Sequence, residues 1–175
     1  MADESKYKIF WKLTQTEPNA PFADQRGINY HAYPVDEYKI ARADVQALAN
    51  QYIAHINAHD LEAAKAMMDD QCKEMTMPGE PVTKAGIDMT YGMLLNAFPD
   101  LNMTIIQVLI DGDMFVINGE LHGTSQGQFY DNPPTGRPFV TYMIEIFKIG
   151  PNNKFIQRYF WYDAMKIVRA ITGTG

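Results

Sequence analysis

At 175 residues the chain has the length of one domain and can bury a substantial core. Its 46% hydrophobic and 21% charged residues fit a globular protein, and a net charge of −6 argues against a nucleic-acid or anionic-membrane surface, since either needs a clustered basic patch. No apolar run reaches membrane-spanning length, no signal-type apolar stretch follows the charged start Met1–Lys6, and the lone Cys72 excludes an internal disulfide and suits a reducing, cytoplasmic setting.

Residues 1–40 stand apart from the rest. They carry Phe10, Trp11, Phe22, Tyr30, Tyr33 and Tyr38, with Pro18, Pro21 and Pro34 interrupting any long element. Such a segment is too aromatic for a free tail and too broken for a helix, so it is expected to be an arm or lid packing on the body or on a partner subunit. The body, residues 41–175, opens with Val45, Leu48, Tyr52, Ile53 and Ile56 at helical spacing, with Asp44 as the expected N-cap. Asp60 caps a second helix carrying Leu61, Ala64, Met67 and Met68. A short strand, Lys73–Met77, stops at Pro78-Gly79. Thr83 then starts a third helix with Ile87, Tyr91, Leu94, Leu95 and Phe98 on its inner side and Pro99 just past its end.

The second half reads as strands. Asn102–Ile110 is rich in β-branched and long apolar residues, Asp111-Gly112-Asp113 makes a turn, and Met114–Thr124, Phe139–Ile149 and Phe155–Asp163 follow. A short helix over Ala164–Ile171 closes the chain, with Gly173-Thr174-Gly175 expected to fray. Helices first and a strongly curved antiparallel meander second make an α+β arrangement. Helices on the concave face of such a sheet commonly enclose an apolar pocket. Met67, Met77, Met93 and Met103 suit either an adaptable lining or plain core filling.

The run Tyr159-Phe160-Trp161-Tyr162-Asp163 carries the foremost candidate. Strand alternation sets Tyr159, Trp161 and Asp163 on one face, and a carboxyl beside two large rings is poorly solvated, which favours proton exchange near neutrality. The plainer alternative is an exposed Asp163 capping the helix at Ala164. In the strand Met114–Thr124, Asn118, Glu120, His122 and Thr124 share the face opposite Phe115, Ile117 and Leu121. That face is either solvated or a polar part of the pocket, where His122 would act as acid, base or carbonyl donor. His55 and His59 have the spacing of paired zinc ligands, but Ile56 stands where the metalloprotease motif has Glu and no third ligand is near, so no metal is expected. Gly119–Gly127 opens no helix and makes no phosphate loop. Arg137, after the Pro-Pro-Thr-Gly turn, is expected to be structural.

Asn96-Ala97-Phe98-Pro99-Asp100-Leu101, Gly123-Thr124-Ser125-Gln126-Gly127, Pro133-Pro134-Thr135-Gly136-Arg137 and Trp161-Tyr162-Asp163, in that order, resemble the SnoaL-like polyketide cyclases of the nuclear-transport-factor-2-like superfamily. The resemblance spans about residues 44–171. It implies a cone-shaped curved antiparallel sheet with the N-terminal helices packed on its concave face around a pocket, and a homodimer paired through the sheet. It also implies a cofactor-independent enzyme that closes a ring on a hydrophobic polyketide- or terpenoid-like molecule by an aldol-type step, or isomerises it. Asp163 falls where the family has its general acid/base. Ser125 stands where the family often has His after Gly-Thr, and Arg158-Tyr159 stands where it often has His-Trp. The implied roles are proton transfer by Asp163, with His122, Tyr159 or Tyr91 donating to the enolate oxygen. Trp161, Met77 and Phe98 would line the pocket, with Asn118, Glu120 and Ser125 as further contacts. A second acid near the first, Glu120 or Glu145, would favour hydration, dehydration or epoxide opening, whereas one buried carboxylate would favour cyclisation or isomerisation. The same fold also serves as a non-catalytic ligand-binding dimer.

Overall fold

The computed structural model describes residues 39–75 and 83–174. Most of the expected arm, and Met77, lie outside the described residues. Helix α1 (Arg42–Asn57) buries Val45, Ala49, Tyr52, Ile53 and Ile56, the spacing that the sequence carries. It begins after Ala41, so Asp44 sits within its first turn rather than capping it. A carboxylate there still faces the positive end of the helix dipole. Asp60 does cap α2 (Leu61–Ala66), its side chain accepting from the Ala63 N–H at 2.9 Å.

Strand β1 (Met68–Met75) starts five residues before the expected one, directly after Met67. The reason is long-range: β1 pairs in parallel with β5 (Phe155–Tyr162), beginning at Met68 opposite Phe155. Helix α3 (Gly86–Ala97) follows and turns Ile87, Tyr91, Leu94 and Ala97 inward. Strands β2 (Asn102–Asp111), β3 (Met114–Thr124), β4 (Pro138–Ile149) and β5 form an antiparallel meander. The open, curved sheet has the order β1-β5-β4-β3-β2, and β1 makes it mixed rather than purely antiparallel as expected. Helix α4 (Ala164–Thr172) packs on β4 and ends at Gly173, whose φ of 75° supplies the left-handed cap. Gly173 and Thr174 both donate to the Arg169 carbonyl, so these two expected tail residues are hydrogen-bonded into the helix end.

Alternate residues of β3 and β4 face the core, among them Phe115, Ile117 and Leu121 on β3 and Met143, Phe147 and Ile149 on β4. Tyr52 of α1 meets Phe147 edge-on at 4.9 Å, and Phe115 stacks on Phe147 at 4.7 Å, geometries that favour aromatic pairs beyond their buried area. Three of the sequence motifs dock on one another at the far end of the sheet. Asp100 accepts from the Thr124 N–H at 2.7 Å, and the Gln126 and Gly127 N–H groups donate to the Ala97 carbonyl. A Cβ at Gly127 would collide with the Asn96 carbonyl, which explains the glycine. Ser125, fully buried, donates its N–H to the Arg137 carbonyl and accepts at Oγ from Thr135 N–H at 3.2 Å.

Candidate active site

Each of three adjacent strands sends one charged side chain to the inner face of the sheet. Glu74 on β1 lies opposite Arg158 on β5 in the parallel register, and Glu145 on β4 lies one diagonal step away, since Phe147 is the residue paired with Arg158. All three are at most 1% exposed. Arg158 bridges the two acids: its Nη1 donates to Glu74 Oε1, and its Nε donates to Glu145 Oε2 at 2.6 Å. Tyr91, from α3, donates its hydroxyl to Glu145 Oε1 at 2.8 Å. Tyr52, from α1, faces the same cluster, its hydroxyl towards that of Tyr91. Aromatic rings wall the charges in, with the guanidinium carbon 5.0 Å from the Phe160 ring centre, 5.1 Å from that of Tyr91 and 5.8 Å from that of Tyr52.

A cation shared by two anions in a dry core leaves one negative charge in excess. Burial raises the proton affinity of Glu74, the Arg158 charge lowers it, and the Glu145 charge raises it again; the outcome is a carboxyl pushed up to about 7. Burial also lifts both phenols, Tyr52 and Tyr91, well above their ordinary range, so they remain hydrogen-bond donors. Burial works against the Arg158 charge, but Glu145, Tyr52, Tyr91 and Glu74 together outweigh it and hold the guanidinium protonated. Two buried polar atoms of the cluster have no partner, Glu74 Oε2 and Arg158 Nη2. Unpaired buried polar atoms are costly, and together with a shifted carboxyl they make this cluster a candidate functional site.

This is not the arrangement expected from the aromatic run. Over the aromatic run the inward residues of β5 are Arg158 and Phe160, so the parity is opposite to the expected one. Trp161 is 77% exposed, Tyr159 is half-buried, and Asp163 is exposed with its carboxylate accepting from the Lys166 N–H at 2.9 Å. Asp163 is thus the N-cap of α4, the plainer of the two alternatives, and lies in solvent rather than against aromatic walls. The strip Asn118, Glu120 and His122 also faces away from the core, half-buried on the outer side of the sheet. There His122 Nε2 lies 3.4 Å from Glu120 Oε2. Phe98 is buried, but among Phe129 and Phe139 at the end of the sheet where the motifs dock. Ser125 serves the loop that ends at Arg137. Of the expected site residues among the described ones, Tyr91 alone joins the cluster, together with Glu145, a candidate second acid. Glu74, Tyr52 and Arg158 were missed as a site, although a charged residue within the apolar inward row Met143, Glu145, Phe147, Ile149 was a signal for an interior partner.

An open, curved α+β sheet with a buried polar cluster under its helices is the class of fold that these elements build. The chain belongs to the SnoaL-like polyketide cyclase family, whose sequence profile matches residues 46–171. No curated protein sequence matches it. Solved structures with the same fold include AclR of Streptomyces galilaeus, described as a candidate hydroxylase, with a TM-score of 0.69 and 19% identity over 76% of this chain and 83% of that one. IdmH of Streptomyces antibioticus, described as a candidate polyketide cyclase, superimposes with a TM-score of 0.66 and 19% identity over 73% and 97% of the two chains. A candidate polyketide cyclase of Acidithiobacillus ferrooxidans gives 0.67 and 16% over 78% and 99%. At these identities the likeness speaks for the fold alone. No helix among the described residues is long and apolar enough to cross a membrane.

Proposed function

We propose that this chain is a cofactor-independent acid–base enzyme that cyclises, by an aldol-type step, or isomerises a hydrophobic polyketide- or terpenoid-like ketone, with Glu74 as its proton carrier. The observation that carries this reading is the Glu74 carboxyl, buried, poised at about 7 and with one oxygen unpartnered. A group with that affinity is ionised and protonated in comparable amounts at neutral pH, the condition under which one residue both removes and returns a proton. Ionised Glu74 takes a proton from the carbon beside a carbonyl, and the electron pair moves to the carbonyl oxygen as an enolate. Arg158 Nη2, without a partner, and the Tyr52 hydroxyl are donors suited to that oxygen, and such donors contribute a few kcal/mol each. The enolate carbon then attacks a second carbonyl of the same molecule, whose oxygen takes the proton back from Glu74, or the enolate is reprotonated by Glu74 at another position. The aromatic walls suit an apolar substrate.

The test is solvent deuterium uptake. A panel of hydrophobic 1,3-dicarbonyl compounds is incubated with the protein in D2O, and label at the central carbon is followed by NMR. Uptake above the buffer rate is expected, with a fall of about 10²–10⁴-fold in Glu74→Gln, the usual span of general acid–base catalysis. Equal uptake in the variant would overturn the assignment.

One observation favours a second reading. Glu145 supplies a second buried carboxylate across the same guanidinium, which suits water activation in hydration, dehydration or epoxide opening. Incorporation of ¹⁸O from labelled water into a new hydroxyl, formed on an epoxide or on a conjugated double bond, would select it.

The outer face of the sheet exposes Ile106, Leu109, Val140, Tyr142, Ile144 and Trp161, an apolar set that supports pairing of two copies there. Light scattering should give twice the chain mass, and Trp161→Lys should return it towards one.

A further inference from the structure

We infer that Glu145 and Tyr91 are positioning residues: they hold the second carboxylate as a fixed anion against Arg158, so that the one exchangeable proton of the cluster stays on Glu74. This rests on the reading of Glu74 as the proton carrier and says how that role is assigned to it rather than to its neighbour.

The hydrogen bonds divide the two acids. Both oxygens of Glu145 are occupied by donors, Oε1 by the Tyr91 hydroxyl at 2.8 Å and Oε2 by Arg158 Nε at 2.6 Å. Donors on both oxygens favour the ionised form of a carboxyl. Protonating Glu145 would turn one of those donors away, and the Nε–H of a guanidinium fixed on its other side to Glu74 cannot rotate out of the contact. Glu74 is different. Only its Oε1 meets Arg158, and Oε2 has no partner, so a proton there displaces no bond. Two anions on one cation in a dry core take up a proton readily, and the bonding pattern decides which anion receives it.

The groups facing Glu74 are consistent with this. Cys72, on its own strand, has its thiol pushed up to about 12 by burial and contributes no charge. Arg158 from β5 lowers the Glu74 proton affinity, while Glu145 from β4 and Asp88 from α3 raise it. Tyr91 from α3 and Tyr52 from α1 remain neutral donors.

The full chain without substrate provides the test, so that its result stands apart from the deuterium experiment. The carbonyl stretch of a protonated buried carboxyl is followed by infrared difference spectroscopy from acid to alkaline pH. Wild type should show such a band titrating near neutrality, and Glu74→Gln should lose it. Glu145→Gln, which removes a facing negative charge, should move the midpoint down by about 1–3 units. Tyr91→Phe should move it up, because Glu145 then loses a donor that favours its anion and the pair binds a proton more tightly. Far-UV circular dichroism establishes that each variant is folded, and Tyr91→Phe, which preserves the ring packed on Phe160, carries the test if Glu145→Gln does not fold. Opposite shifts support the inference. An unmoved midpoint in the folded variants, or a band that survives Glu74→Gln, overturns it.

Discussion

Replacing Glu74 by Gln should change how the stability of this protein depends on pH, in an amount that the structure sets. Gln keeps the size of Glu and an oxygen that accepts from Arg158 Nη1, but it does not titrate. In the folded chain the Glu74 carboxyl is pushed up to about 7 from an ordinary 4.5. The folded state therefore binds this proton more tightly than the unfolded state, and stability falls as pH rises from the unfolded value through the folded one. Below about 4.5 the contribution is fully present; above about 7 it is gone. Between pH 5 and pH 8 the linkage amounts to roughly 2.5 kcal/mol, at 1.36 kcal/mol per unit. For a chain of this length that is about 5–10 °C in melting temperature. Urea or thermal unfolding of both proteins at each pH gives the difference curve, in which other titrating groups cancel. The variant should gain on wild type steadily across that window. A flat difference curve would mean that Glu74 titrates alike in both states, and the cluster would then not hold its proton as described.

Other changes probe the same geometry. Arg158→Met leaves Glu74 and Glu145 buried without their cation, and should cost about 3–5 kcal/mol at neutral pH in urea unfolding, with much of the loss recovered in acid as the carboxyls protonate. A cost that is the same at all pH values would show that packing, not charge, is what was lost. Asp163→Ala removes only the α4 cap, so about 1 kcal/mol of stability should go while deuterium uptake is retained; a large fall in uptake would return Asp163 to the chemistry. Gly127→Ala should destabilise by more than the few tenths of a kcal/mol of an ordinary surface change, measured by thermal unfolding, because its Cβ meets the Asn96 carbonyl.

Much of the architecture was legible in the chain. Met114–Thr124 was expected and found with the same ends, because its alternation is unbroken and a tight turn precedes it. Asp60 was recognisable as a cap from its place before an apolar-periodic run. The start of β1 was not legible, since Met67 and Met68 fit the helical spacing equally well and only pairing with Phe155 draws Met68 into the sheet. On β5, alternation separates two faces without saying which turns inward. Both carry aromatic rings, and the inward one contains Arg158, a residue that hydrophobicity sends to the surface.

The sequence by itself determined the order of helices and strands, the α+β class and the membership of a family, because these follow from local periodicity, capping residues and short motifs. Only the tertiary structure decided which charged side chains meet in the core. Glu74, Glu145 and Arg158 are separated by up to 84 positions along the chain, and burying each is unfavourable until parallel pairing of β1 with β5 brings the others beside it. A charge becomes an interior residue through its partners, and partners from distant strands leave no mark in local sequence.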